Sequence, residues 1–308
     1  MHVLKGATTA YILGSIASDD ISLNEVQQKL VDALQTHSEM ACLQQESDSR
    51  LLRELSPVRR NLLDWISFSP DETVLELGGH TGILTQLLCE RCRAVESVIA
   101  SEADAYVNAV RNQAAPDLRI HLRVEAAAFP KEEYDTVVLA GADRTLHRSI
   151  FPEQDDMAYD RFLALAYDCL KPQGRLLLAV SNRLGLQYWS GKTDACSPSL
   201  FGSILGETGE QEEYCFSKKR LLAMLEMAGF GHAECYYPVP DYYFPAQIFS
   251  DRYLPQVGDI RPASAHYDSI RYQLFDEKKA FDTICEDGLF DQFANSFLVV
   301  CRKGGGAK

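Results

Sequence analysis

The densest chemistry-bearing stretch of the chain is Val74–Gly82, VLELGGHTG. An apolar run reaches the acidic Glu76, passes through a turn holding Gly78, Gly79, His80 and Gly82, and leads into a new apolar pattern. In open parallel sheets ligands bind beyond the carboxyl ends of the strands, and a glycine turn there lets backbone approach a ligand closely. This turn is therefore the predicted binding site. The dinucleotide spacing Gly-x-Gly-x-x-Gly is absent, and no Gly-Lys-Ser/Thr follows to make a phosphate loop. Candidates for acid–base work are Asp143 and His147 in GADRTLH, since an imidazole suits proton transfer near neutral pH. Asn182, Arg183, Tyr188 and Trp189 form a later polar and aromatic group suited to orienting a substrate. The plainer reading makes Asp143 and His147 ordinary polar loop residues.

These residues need a frame, and the chain is long enough to build one. Its 308 residues are 46% hydrophobic and 24% charged, a globular composition with a prior of about two domains or one enlarged domain. Short apolar runs alternate with helical patterns from Thr73 onward, the signature of a parallel α/β sheet. Strands are expected at Val74–Leu77, Val95–Ala100, Ile120–Val124, Thr136–Ala140, Arg175–Val180, Ala233–Tyr237 and Ser296–Cys301. Residues 1–55 read as a helical segment, with Ser22 and Glu25 as a capping box for a helix running toward Glu46. Pro57 suits the first turn of a helix over Val58–Trp65. Ser217 is expected to cap a helix that ends at Gly229. Residues 238–293 interrupt the rhythm with aromatics and prolines and are expected to pack as a cap or lid. The body of the domain is residues 56–303, and 304–308 form a tail.

Charge and cysteine usage exclude several classes. A net charge of −14 opposes a phosphate backbone, whose affinity comes largely from Lys and Arg releasing counterions. No run approaches the roughly 18 apolar residues of a membrane span, and the start carries no signal-peptide pattern, so a cytoplasmic protein is expected. The nine cysteines are scattered, and only Cys89 and Cys92 are close. Without a second pair at metal-ligand spacing they read as buried structural thiols, and no metal site is expected.

In VLELGGHTG the chain resembles the first motif of the class I S-adenosylmethionine-dependent methyltransferases, with His80 where that family usually has its middle glycine. Further matches follow in order: Glu102 after strand two, Glu125 after strand three, YDTVVLAGA, and LKPQGRLL. The resemblance implies a Rossmann-like seven-stranded sheet, preceded by the helical segment and carrying the aromatic insertion before its last strand. It implies S-adenosylmethionine as cofactor, with Glu102 on the ribose hydroxyls, Glu125 facing the adenine amino group and Glu76 orienting the ammonium. Gly78, Gly79, His80, Gly82 and Gly141 would line the same site.

SPVRRNLLDW, SNRLGLQYWSG, FSKKRLLAMLEMAGF, YYPVPDYYFPAQIFSDRYLP and ANSFLVV look like a bacterial methyltransferase family found beside or fused to glycosyltransferases of surface-polysaccharide assembly. Ser181 and Leu184 depart from that family's Glu-Asn-Arg-Phe. This narrower resemblance implies transfer of a methyl group to an oxygen or nitrogen of a small-molecule or sugar-linked acceptor, with a glycosyltransferase as partner. RNA methylation is a minor alternative, opposed by the charge and by the lack of Asn/Asp-Pro-Pro-Tyr/Phe after strand four. His80 opens another: it can crowd the cofactor, donate to its carboxylate, or mark a catalytically silent assembly module. Gly79 is expected to take any strained geometry and leave His80 pointing away.

Overall fold

The computed structural model describes residues 9–11, 21–45, 48–122, 124–141, 144–151, 158–193, 197, 199–207, 214–261 and 273–304. Among these residues ten strands form one sheet: β1 (Thr9–Tyr11), β2 (Thr73–Leu77), β3 (Ala94–Ile99), β4 (Leu118–Leu122), β5 (Tyr134–Ala140), β6 (Leu170–Asn182), β7 (Cys215–Phe216), β8 (Phe230–Val239), β9 (Gln247–Ser250) and β10 (Ser296–Lys303). Nine run in the order β1-β4-β3-β2-β5-β6-β10-β8-β9, and β7 pairs with β6 beside this path. From β4 to β6 neighbours are parallel, and β10 enters antiparallel between β6 and β8.

The seven expected strands form the middle of the sheet, and the strand count needs correcting. β1, β7 and β9 are two to four residues long, too short for a period-two pattern to stand out. β6 starts at Leu170 rather than Arg175, running through Pro172 with a register shift opposite Tyr134 and Thr136. Central strands such as β2 are buried almost throughout, as expected where helices cover both faces.

Thirteen helices surround the sheet: α1 (Glu25–Gln35), α2 (Glu39–Gln45), α3 (Ser49–Leu55), α4 (Asn61–Asp64), α5 (Ile83–Arg91), α6 (Glu102–Arg111), α7 (Arg144–Ile150), α8 (Ala158–Cys169), α9 (Leu186–Trp189), α10 (Gly202–Leu205), α11 (Lys218–Met227), α12 (Glu277–Glu286) and α13 (Phe290–Phe293) among the described residues. Leu30, Val31, Leu34, Leu51 and Leu55 dock α1 and α3 onto Tyr106 and Val107 of α6. Full burial of each such side chain stabilises by about 1.5–3 kcal/mol. The expected capping box is displaced by two residues. Asn24 caps α1, accepting from the Gln27 amide at 2.9 Å while Gln27 Oε1 accepts from the Asn24 amide at 3.0 Å. The helix does not run on to Glu46, because His37 adopts φ 51° between α1 and α2. Pro57 opens a 3-10 turn, Pro57–Arg60, that leads into α4. Ser217 caps α11, and Gly229 follows it at φ 94°.

Past β8 the aromatic stretch turns inward. Tyr237, Tyr242, Phe244, Phe249, Phe281 and Phe290 are all buried, and β9 extends the sheet beside β8. Cys89 and Cys92 are half-buried against the apolar layer under α5, and burial pushes both thiols up to about 12. Among the described residues no cluster of His, Cys, Asp and Glu could hold a metal ion. No helix among them is long and apolar enough to cross a membrane.

Candidate functional site

A cavity of about 380 Å³ opens at the carboxyl ends of β2, β3 and β5. Its floor is the glycine turn, and the turn is fixed from below. Parallel register sets Glu76 beside Ser97. Glu76 Oε2 accepts from Ser97 Oγ at 2.8 Å and Thr85 Oγ1 at 2.6 Å. Burial raises the Glu76 carboxyl above its ordinary range in spite of these two hydroxyl donors. Gly79 lies directly over this cluster: a Cβ there would stand 2.1 Å from Ser97 Oγ and 2.5 Å from Glu76 Oε2, so no other residue fits. Gly82 has φ 92°, and a Cβ on it would meet Asn108 at 2.6 Å.

Two buried asparagines absent from the sequence reading, Asn108 of α6 and Asn112 at its C-terminal cap, bind the turn's carbonyls. Asn108 Nδ2 donates to the His80 carbonyl at 3.2 Å and to Thr85 Oγ1 at 2.9 Å. Asn112 Nδ2 donates to the Gly82 carbonyl at 3.3 Å. Asn is a poor residue for a helix interior, so Asn108 among the apolar residues of α6, with Asn112 four positions on, is the signal that could have found them.

The roof comes from segments outside the turn. Arg53 and Arg59 lie 5.0 and 4.9 Å from the centroid of the Tyr243 ring, and Tyr243 packs on Tyr242 at 4.2 Å. Glu54 of α3 accepts from the Thr81 hydroxyl. Burial pushes the Glu54 carboxyl up, but Arg59, Arg53 and the Thr81 hydroxyl outweigh it and hold the group below its ordinary value. Arg111 ties roof to floor, donating to the Thr81 carbonyl at 2.8 Å and the Glu54 carbonyl at 2.7 Å.

The predicted site residues separate into groups. Gly78, His80 and Gly141 line the cavity, and Glu76, Gly79 and Gly82 line a recess of about 10 Å³ that shares Gly78 and His80 with it. His80 does not point away, and Gly79 does not absorb the strain. His80 itself adopts φ 43°, and its Nε2 lies within 4 Å of the Cβ positions of both Gly78 and Gly141. Glu102 is exposed and lies outside the cavity lining, which is formed at that end by Ile99, Ala100, Ser101 and Asp104. Ser101 caps α6, so two further residues turn the helix by about 200° and bring Asp104, not Glu102, to the cavity side. Glu125 is also exposed and outside the lining.

Asp143 lies outside the described residues. His147 is buried among Phe151, Phe162 and Tyr214, with Nδ1 3.4 Å from the Tyr214 hydroxyl, while Thr145 of the same helix lines the cavity. Asn182 is fully buried and donates to the carbonyls of Gln292 and Ala294 at 2.8 and 2.7 Å. Arg183 donates to the Ser203 carbonyl, Tyr188 is buried, and Trp189 donates to the Leu184 carbonyl. None of these four lines the cavity.

A second cavity, about 440 Å³, lies between Val239, Pro240 and the α12 residues Lys278 and Phe281. It lacks a glycine turn and sits at the β8–β10 end of the sheet, so the cavity over β2, β3 and β5 is the stronger candidate.

No protein-family model matches the chain, and no curated protein matches it by sequence. Solved structures do match. A chain from the Haloferax volcanii complex of the Trm112 methyltransferase activator with a protein described as a methyltransferase is 12% identical, covering 92% of this chain and 99% of that one, with TM-score 0.51. A SAM-dependent methyltransferase from Archaeoglobus fulgidus is 15% identical over 82% of this chain and 94% of its own, TM-score 0.46. Phosphoethanolamine N-methyltransferase 1 of Haemonchus contortus, solved with phosphoethanolamine and S-adenosylhomocysteine, is 12% identical over 91% of this chain and 50% of its own, TM-score 0.49. At this identity the likeness is one of fold: the sheet is that of the Rossmann-like methyltransferases.

Proposed function

We propose that the chain is an S-adenosylmethionine-dependent methyltransferase acting on an oxygen or nitrogen of a small-molecule or sugar-linked acceptor. One observation carries this reading: a cavity of about 380 Å³ at the strand ends of a methyltransferase-like sheet, with Gly78 and Gly141 in its lining. That volume falls inside the roughly 300–1,000 Å³ of small-molecule sites. The polar groups also fit, since Ser101 and Asp104 offer a hydroxyl and a carboxylate to a sugar edge, and Ile99 and Ala100 offer apolar contact. On this reading the ribose contact belongs to Asp104 and Ser101 rather than Glu102.

When bound, the cofactor supplies a methyl carbon on a sulfonium with a neutral thioether as leaving group. The chain's own work is then to exclude water and align the acceptor. Arg53, Arg59 and Tyr243 cover the site from above, and Thr145 and Gly141 border it on the β5 side. His80 is the imidazole lining the cavity, and in this reading its Nε2 accepts the acceptor's proton in place of His147. The sugar-linked acceptor and a glycosyltransferase partner rest on the second-half motifs, and the net charge of −14 weighs against nucleic acid.

A second reading, a silent methyltransferase-like module, is favoured by the same His80, a side chain in a left-handed backbone conformation inside the cavity. Titration calorimetry with S-adenosylhomocysteine separates the two. Micromolar affinity, about −8 kcal/mol, is expected. No binding by the natural chain together with binding by His80→Gly would favour the silent module.

A further inference from the structure

The cavity of about 440 Å³ takes no part in the proposed transfer. It is lined by the close of β8, by Ile260 and Arg261, by the start of α12 and by Asn295, the residue before β10. β5 and β8 are three strand spacings apart, about 14 Å, so this cavity is separate from the one over the glycine turn. Its walls are apolar and held in place. Val239, Ile260 and Phe281 are buried, and the Phe281 ring packs on Phe290 at 5.8 Å between centroids. Gln247 of β9 clamps the turn on one side, donating to the Asp259 carbonyl and accepting from the Arg261 amide, each at 2.9 Å. Asn295 fixes the opposite side, donating to the Pro240 carbonyl at 2.9 Å and accepting from the Gln187 amide at 3.0 Å. A preformed apolar hollow of this volume is what small-molecule sites share.

The charged residues of the same lining are spent unevenly. Asp276 caps α12, accepting from the amides of Lys278 and Lys279 at 3.0 and 3.3 Å. Glu277 accepts from the Ser190 hydroxyl, and Lys278 donates to Asp282 at 3.0 Å. Arg261 differs. Its backbone is fixed by Gln247, yet among the described residues no hydrogen bond or ion pair reaches its guanidinium. Phe275 is 38% exposed in the same lining, a large ring that the fold leaves in contact with water. An unused cation and an uncovered ring on one apolar hollow call for a ligand with both kinds of surface.

We propose that this cavity binds a small ring-bearing acid, with its ring among Ile260, Phe275 and Phe281 and its anionic end on Arg261. The ring covers apolar surface without stranding a polar group, since the polar atoms of Asn295 are already engaged. The guanidinium fork takes two carboxylate oxygens side by side. Because Arg261 is exposed, the charged end adds selectivity more than affinity, and the ring supplies most of the binding.

Ligand-observed NMR titration of the full chain tests the site. The probes are 1-naphthylacetate and 2-(1-naphthyl)ethanol, which keeps the ring and lacks the charge. The acid is expected to bind with a Kd below about 1 mM, and the alcohol about threefold more weakly. Arg261→Gln brings the acid to the level of the alcohol and leaves the alcohol unchanged, whereas Phe275→Ala weakens both by about threefold. Neither residue lines the cavity over the glycine turn, so these losses assign the probe to this one. Absence of binding by both probes, or binding that neither variant alters, overturns the site. Equal affinity for acid and alcohol overturns its anionic end. Thermal melts check folding, and if a variant does not fold, Arg261→Lys or Phe275→Leu takes its place with a smaller loss of the same pattern. S-adenosylmethionine has no part in this titration, so its outcome is independent of the methyltransferase reading.

Discussion

Glu76 and Glu54 lie on either side of the same glycine turn, and their surroundings push them in opposite directions. Glu76, in the floor, has two neutral hydroxyls as its hydrogen-bond donors, and burial raises its carboxyl in spite of them and of the more distant Arg59. Glu54, in the roof, is less enclosed, and Arg59 and Arg53 hold it below its ordinary value. The floor is thus a neutral, tightly fitted backbone support, and the roof is an ionic layer. Rigidity comes from fit in the first and charge from the second. A site of this kind holds a ligand on main chain below while selecting its charge from above.

The sharpest way to break the floor is steric. Gly82→Ala forces a Cβ into Asn108 at a left-handed φ, and the combined strain and overpacking should cost about 3 kcal/mol in denaturant unfolding. A cost below about 1 kcal/mol would mean that the floor yields and fit is not its source of rigidity.

Cutting the tie between the regions comes next. Arg111→Met removes two donors to the carbonyls of Thr81 and Glu54 and should cost about 2 kcal/mol. The roof should open more than the floor, so hydrogen exchange should quicken in α3 before β2. Equal protection in both would contradict the division.

The smallest effect is a pair of pH slopes of opposite sign. Glu76 binds its proton more tightly folded than unfolded, so stability falls as pH rises above the ordinary glutamate value of 4.5, and Glu76→Gln should remove that fall. Glu54 binds its proton less tightly folded, so its contribution is present above 4.5 and is lost as pH falls from there through the lowered folded value; Glu54→Gln should flatten that acid limb. Melting profiles from neutral pH down through the acid limb that moved the same way in both variants would erase the contrast.

Much of the floor is legible along the chain because it is local. Strand, turn and helix occupy one stretch from Thr73 to Arg91, and glycines mark where the backbone bends or is crowded. What differs there is rotation: Asp104 and Thr145 line the cavity where Glu102 and His147 were expected, each two residues away on a helix and so on nearly the opposite face. The expected substrate group lies outside the cavity lining for a different reason. Asn182 and Arg183 carry polar side chains that suit a ligand, but their donors are spent on carbonyls of distant segments.

What the sequence by itself determined was the alternation of buried strands and helices, hence the sheet, and the place where a ligand meets bare main chain. Both follow from periodicity and residue type, which act over a few neighbours. Only the tertiary structure decided which charges face that place. Arg59 meets Tyr243 across more than 180 positions, and Asn61 nearby donates to the Pro245 carbonyl at 3.1 Å over a separation of 184. Such contacts arise from how the whole chain packs, so no local pattern announces them.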